Sequence, residues 1–491
     1  MIEELKQKTV TGVKWSGMTM FVVTGLVFII TAVLARLLSP YDFGLMGMLM
    51  VIINFVILFA DFGLPTAIIQ QQELNDEQLS TIFFLSVVIG LFLSATCYFL
   101  SGLIAQFFQK PELIYLSKVV SVSFVITSFG QVFRALLQKK MDFKALFGID
   151  VLSNVIYGIF SILLAFRGFG VLSLVYGFLL RQLAGTIFSF RLNSFKPRLK
   201  FNIKSIRNLL HFGGYVLGER IVNYFNRNLD YIIIGRILGA EALGYYTLAY
   251  QIMLLPISRI SGSVTQVIFP AFASIQDDNS KIREGYLKVI RYISLVTFPV
   301  MAILFIVASE FIPAVFGSKW NPTILVLKIL CLIGAIQSIG TIIGSVLYAK
   351  GRPDIGFKWN CFGIGCYGTA FLIGVRWGIV GVASMYAVFA VVLFPIIQNI
   401  TNNLIDLRWR DLMKQLKVQI LGSFLSIAVT TILRVVFLNQ NHFTQNFILI
   451  SSVMSGLIVY SIFIYLIDRK VITEGLVILG MNCSRNSTEM K

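Results

Sequence analysis

Six polar residues share one stripe of an otherwise apolar stretch. In "GGYVLGERIVNYFNRNLDYIIIGRILG", residues 213–239, a helical step of about 100° per residue places Glu219, Arg220, Asn223, Asn226, Arg227 and Asp230 within about 120° of one another. Asn228 falls outside that stripe. Charges inside a bilayer cost several kcal/mol unless paired or hydrated, so they turn toward each other or toward water. Two chemistries follow from the spacing. One is an ion-pair lattice, with Arg227 and Asp230 a helical turn apart. The other is a hydrated cavity that presents guanidinium, carboxylate and amide groups to a polar ligand. Further candidates stand elsewhere in apolar runs. Asp61 follows Asn54 by seven residues, on the same helical face, with Pro65 beyond it; Arg259 follows Pro256. Arg134 and Arg181 read as side chains that snorkel to an interface.

The elements that must hold these residues are membrane-spanning helices. Of the 491 residues, 57% are hydrophobic and 13% charged, about half the charged share of a soluble domain. Apolar runs of some twenty residues recur along the chain, each long enough to cross a bilayer. Fourteen spans are expected, near 12–38, 40–69, 80–107, 113–137, 145–166, 171–190, 213–238, 243–273, 287–309, 322–348, 357–375, 378–403, 417–437 and 445–467. The first reads as a retained helix, since no small-residue cleavage site follows it. The expected class is an all-α polytopic membrane protein. Residues 1–195 would form an N-lobe of six helices and 196–405 a C-lobe of six. Residues 406–491 would carry the last two helices and a cytoplasmic tail.

The net charge is +18. The basic residues lie mainly in the segments between spans, which points to membrane topology rather than to nucleic acid. With fourteen spans, alternate segments hold 28 of the 41 basic residues, an asymmetry that places those segments and both termini in the cytoplasm. Two basic linkers, 200–212 and 404–417, have an amphipathic period and read either as surface helices or as solvated loops.

The chain also repeats itself. "ARLLSPYDFGL" at 35–45 matches "GRILGAEALGY" at 235–245, pairing Arg36 with Arg236 and Gly44 with Gly244. "GVLS" at 170–173 matches "GVAS" at 381–384, and Lys139 pairs with Lys350. Six helices separate the copies, so both halves enter the membrane in one direction, a parallel repeat whose substrate site is expected between the halves. Each break reads as an outer hairpin. Ser39 caps a helix that begins with Pro40 and carries Asp42 in its first turn, and Glu241 supplies the comparable charge in the second copy. Arg36 and Arg236 are then an outer-mouth pair.

Enzyme signatures are missing. The sequence contains no phosphate-binding G-x-x-x-x-G-K-[ST] loop, no H-E-x-x-H metal site and no nucleophile elbow. The five cysteines have no metal or redox spacing, and both histidines lie between the expected spans. A transporter with no catalytic residues, no metal and no cofactor is the reading.

"LARLLSPYDFGLMGML", "RALLQKKMDFKAL" and "LPISRISGSVTQVIFPAFASIQ" resemble the polysaccharide transporter family. That family includes the Wzx-type flippases of lipid-linked oligosaccharides, within the multidrug/oligosaccharidyl-lipid/polysaccharide exporter superfamily. The resemblance covers most of residues 1–405. It implies a two-lobed bundle working by alternating access in the bacterial cytoplasmic membrane. The implied cargo is an undecaprenyl-pyrophosphate-linked repeat unit of an O-antigen, capsule, exopolysaccharide or teichuronic-type glycan. The implied neighbours are membrane lipids, a polymerase and other glycan-assembly proteins. In that frame Arg220, Arg227 and Arg259 attract pyrophosphate or sugar acids, and Asn223 and Asn226 contact hydroxyls. The alternatives are a cation-coupled multidrug exporter, with Asp61, Glu219 and Asp230 as sodium or proton sites, and a non-transporting scaffold of a glycan-assembly complex.

Overall fold

The computed structural model describes residues 2–61, 64–71, 75–198, 207–439 and 444–469, and every regular element among them is helical. The chain forms two compact units, Met1–Thr247 with Gly363–Gly368, and Leu248–Phe362 with Thr369–Lys491. The first holds α1 (Ile2–Leu37), α2 (Pro40–Asp61), α3 (Leu64–Gln70), α4 (Asp76–Phe99), α5 (Ser101–Phe108), α6 (Glu112–Lys139), α7 (Phe143–Phe166), α8 (Val171–Arg191), α9 (Arg207–Ile237) and the start of α10 (Gly239–Ser274). The second holds the rest of α10, then α11 (Asn279–Val315), α12 (Thr323–Gly340), α13 (Ile343–Ala349), most of α14 (Pro353–Gly374), α15 (Gly378–Leu404), α16 (Trp409–Asn439) and α17 (Gln445–Ile467).

Among the described residues eleven stretches are long and apolar enough to cross a bilayer, so this is an all-helical polytopic membrane protein. One of them, Pro353–Leu404, contains both α14 and α15, with a turn at Val375–Gly378 between them. The expected spans at 213–238 and 243–273 are helices α9 and α10. Neither is among the eleven stretches. Of the linker expected at 200–212, residues 200–206 lie outside the described residues and 207–212 begin α9. The linker at 404–417 is no separate surface helix: after a short turn, α16 runs from Trp409 as one helix of 31 residues.

Local chemistry starts the helices. Ser39 and Asp42 cap α2 reciprocally. The Asp42 N–H donates to Ser39 Oγ at 3.2 Å, and the Ser39 N–H donates to Asp42 Oδ2 at 2.9 Å. Asn75 and Gln78 do the same for α4. The side chains of Asp142 and Asp278 accept from the third N–H of α7 and of α11.

The two matched breaks meet in the first unit. Helix α1 ends at Leu37 and α9 at Ile237, and the following helices meet backbone to backbone within the first unit. A Cβ on Gly44 would stand 1.6 Å from the Ala240 carbonyl oxygen, and one on Gly244 would stand 1.9 Å from the Pro40 carbonyl oxygen. The two contacts exchange under the same offset of 200 residues, so α2 and α10 cross about a local pseudo-twofold axis. The second pairing is realised too. Lys139 Nζ donates to the Gln71 carbonyl just past α3, and Lys350 Nζ donates to the Gln276 carbonyl just past α10, each at 2.7 Å. Each lysine satisfies a carbonyl at a helix end, where the partial charge is negative.

In the second unit, α16 and α17 are bound to α11. Arg434 gives Glu310 two bonds, Nη2 at 2.6 Å and Nε at 2.7 Å. Nineteen residues earlier on α11, Arg291 pairs with Asp468 at the end of α17. Between these levels Gly456 admits Ile303 of α11 and Ser426 of α16, and the Ser426 hydroxyl donates to the Gly456 carbonyl at 2.9 Å. Small residues and side-chain hydrogen bonds are the means by which helices associate in lipid.

Overpacking the hairpin crossing costs about 1–3 kcal/mol. Gly44→Ala therefore lowers the melting temperature of the detergent-solubilised protein, whereas Gly25→Ala, with no atom near its added methyl, does not. Arg434→Leu strands a buried carboxylate and costs roughly 3–5 kcal/mol. Combining it with Glu310→Leu restores most of that loss in the same melting measurement.

Candidate functional site

Helix α9 carries the expected stripe, and its apolar face shows how it is held. The Tyr224 hydroxyl donates to the Val51 carbonyl of α2. The Phe55 ring of α2 packs against Tyr224 and Phe225, with centroids 5.4 and 5.6 Å away. Aromatic pairs at such distances add to the area they bury. With one side fixed on α2, the polar stripe keeps a defined direction.

The stripe is sorted by depth. Asp230 is 4% exposed and accepts two hydrogen bonds at 2.9 Å, from the Tyr246 hydroxyl of α10 and from the Tyr231 N–H. Arg227, a turn away, is exposed. Among the described residues the two form no ion pair. The carboxylate is met by a tyrosine and a backbone group, and the guanidinium is left available. Asn226 lies against α14, its Oδ1 3.3 Å from where a Cβ on Gly363 would stand. Asn223 and Arg220 are half-buried on the same helix. A face that carries guanidinium and amide groups can bind oxyanions and hydroxyls.

The remaining candidates lie on α1, α2, α9 and α10. Arg259 is exposed on the part of α10 that belongs to the second unit. The side chains of Glu219 and Asp61 lie outside the described residues; Asp61 is the last residue of α2. Arg36 is exposed in the last turn of α1. Arg236 donates to the Gln106 carbonyl at 3.3 Å and lies over the Phe107 ring at 5.6 Å, which ties the end of α9 to α5.

Sequence reasoning passed over other groups. The hydroxyls of Tyr224 and Tyr246 are part of the mounting of α9. Arg134 has a partner on the next helix. It gives two bonds to Asp150 of α7, Nη1 at 2.9 Å and Nη2 at 3.0 Å. The sixteen-residue separation spans a loop, so no helical period signals that pair.

Comparisons with known proteins agree over most of the chain. Residues 33–325 match the family model described as polysaccharide biosynthesis protein. The chain is 36% identical over 374 residues to the lipopolysaccharide biosynthesis protein WzxC of Escherichia coli (strain K12), covering 75% of this chain and 76% of that protein. It is 33% identical over 395 residues to the teichuronic acid biosynthesis protein TuaB of Bacillus subtilis (strain 168), covering 80% and 82%. Among solved structures, the lipid II flippase MurJ in an inward closed conformation has a TM-score of 0.75 over 94% of this chain and 100% of that one, at 17% identity. That likeness gives the fold.

Removing the Tyr246 hydroxyl leaves Asp230 buried and short of a hydrogen bond. Tyr246→Phe therefore destabilises the protein by about 1–3 kcal/mol, read as a lower melting temperature. Asp230→Asn, which still accepts from Tyr246, lowers it less.

Proposed function

The chain belongs to the polysaccharide biosynthesis protein family and is a lipid-linked glycan flippase rather than an enzyme; from that premise we propose that it carries an undecaprenyl-pyrophosphate-linked oligosaccharide from the inner to the outer leaflet of a bacterial cytoplasmic membrane. The observation behind this reading is the match across about three quarters of the chain to two proteins of glycan biosynthesis. The glycan belongs to the class of O-antigens, capsules, exopolysaccharides and teichuronic-type polymers. The reading takes fourteen spans, counting α9, α10 and the two helices of Pro353–Leu404 separately. It sets them as two repeats of six and a final pair, with both termini cytoplasmic. The protein works by alternating access beside a polymerase and other glycan-assembly proteins.

In this scheme Arg220, Arg227 and Arg259 attract the pyrophosphate. Phosphate oxygens favour guanidinium partners, which donate in a fork. Asn223 and Asn226 exchange hydrogen bonds with sugar hydroxyls. Glu219, Asp230 and Asp61 keep the stripe polar and hydrated. Asp230 has its hydrogen bonds supplied by Tyr246 and Tyr231, which disfavours a cation-coupled drug exporter that depends on that carboxylate. Arg36 and Arg236 stand at the outer mouth and ease release of the anionic headgroup.

Alanine at Arg220, Arg227 or Arg259 lowers glycan export about tenfold or more, the loss of a charged hydrogen bond. Surface glycan is measured in a flippase-deleted strain complemented at equal protein level, and normal export in all three variants refutes the assignment. The double variant Arg36→Gln with Arg236→Gln reduces export severalfold. Unchanged export would make both residues helix-end anchors only.

A further inference from the structure

Two helices begin alike. Helix α6 starts at Glu112 after Pro111, and α12 starts at Thr323 after Pro322. Proline suits a helix start, where its missing N–H costs no bond. At an offset of 210 residues the same positions are buried. Leu113, Leu116, Ser117 and Val120 on α6 are at most 2% exposed, and so are Thr323, Val326, Leu327 and Leu330 on α12. The opposite faces are exposed at the same offset. Tyr115 (54%) and Val122 (49%) mark the face of α6, and Leu325 (52%) and Leu332 (57%) mark that of α12. Between the two residues of each face stands a half-buried lysine, Lys118 on α6 and Lys328 on α12.

Both lysines lie below the membrane surface. Helix α6 has 28 residues and the stretch Thr323–Ala349 has 27, whereas about 20 cross the hydrocarbon. A centred span therefore leaves roughly four residues outside at each end. Lys118 is the seventh residue of α6 and Lys328 the sixth of α12, so each is within one turn of the hydrocarbon edge. Among the described residues neither side chain makes an ion pair or a hydrogen bond. Lys118 extends toward the surface instead. Its Nζ lies over the Tyr98 ring at 5.0 Å, and Tyr98 is the next-to-last residue of α4. A lysine stem can lie along apolar surface while its ammonium reaches the headgroup level.

The bilayer itself supplies what covers these faces. The exposed residues beside each lysine suit acyl chains, and the acceptor that lipid offers at the level of the ammonium is a phosphate. A zwitterionic headgroup brings its own ammonium to that phosphate. An anionic headgroup leaves the charge for the lysine. On α6 a further donor is at hand one turn before Lys118. The hydroxyls of Tyr115 and Tyr176 are 3.2 Å apart; one donates to the other, and one phenolic hydrogen stays unspent. Leu325 takes the place of Tyr115 on α12.

We propose that Lys118 and Lys328 each form a binding site for the phosphate of an anionic phospholipid of the surrounding bilayer, of the phosphatidylglycerol type. The lipid is a resident of the membrane and not the transported molecule. The Lys118 site is the stronger, because the tyrosine pair adds a donor that reaches phosphate or glycerol oxygens. In the fourteen-span arrangement both sites face the outer leaflet. The sites themselves require only that α6 and α12 span the membrane, and they do not depend on the flippase reading.

The test uses the full-length protein in nanodiscs of phosphatidylethanolamine and phosphatidylglycerol. The protein is released into mild detergent, and native mass spectrometry counts the lipids it retains. The wild type retains phosphatidylglycerol in preference, up to two molecules. Lys118→Gln or Lys328→Gln weakens retention of one of them about fivefold, the effect of one basic group near a lipid surface. The variant with both glutamines loses the preference, and the variant with both lysines replaced by arginine keeps it. A wild type that retains the two lipids equally overturns the sites and leaves the flippase reading standing. An unchanged preference in the double glutamine variant, or in both single ones where the double does not fold, overturns them too. Arginine variants that lose the preference as the glutamine variants do show that charge is not its basis, and the sites fall. If undecaprenyl pyrophosphate fully displaces the retained phosphatidylglycerol, the ligand is the headgroup of the cargo and the phospholipid assignment falls.

Discussion

A charge in hydrocarbon needs a partner or water, and this one constraint sorts the polar residues of the protein. Arg434 and Glu310 meet across α11 and α16, Arg291 meets Asp468, and Arg134 holds both oxygens of Asp150. Asp230 is deeper than these and has no cation; it is met by a tyrosine hydroxyl and an N–H. These pairings are parts of the scaffold. Arg227, exposed on the α9 stripe, has no carboxylate partner among the described residues.

Backbone proximity does for the helices what ion pairing does for the charges. Lipid provides no hydrophobic drive between helices, so close packing and hydrogen bonds must supply it. Gly44 and Gly244 allow α2 and α10 to touch at their carbonyls, Gly177 and Gly185 bring α7 onto α8, and Gly456 seats α17 on α11 and α16. The first contact fixes α10 relative to α2, and Tyr224 and Phe55 fix α9 on the same helix. The direction of the polar stripe therefore rests on two glycines and an aromatic cluster, none of which touches cargo in the proposed scheme.

Two lysines act alike at helix ends: Lys139 binds the carbonyl of Gln71 just past α3, and Lys350 that of Gln276 just past α10, at the same distance of 2.7 Å. The hairpins that follow α1 and α9 contact each other reciprocally through Gly44 and Gly244.

The sequence by itself determined the helical class and the capped hairpin, because both depend on short-range chemistry. Apolar run length sets the spans, and the capping of α2 by Ser39 and Asp42 acts across three residues. It also determined which face of α9 is polar, since the 3.6-residue period fixes that angle. Only the tertiary structure decided which charges are spent. The spacing of Arg227 and Asp230 suggested a pair, but Tyr246, sixteen residues from Asp230, took the carboxylate; Arg134 found its partner in Asp150 on the next helix. Pairing between helices depends on crossing and rotation, which residue spacing along one helix does not contain, so the division between scaffold and site is a property of the packed molecule.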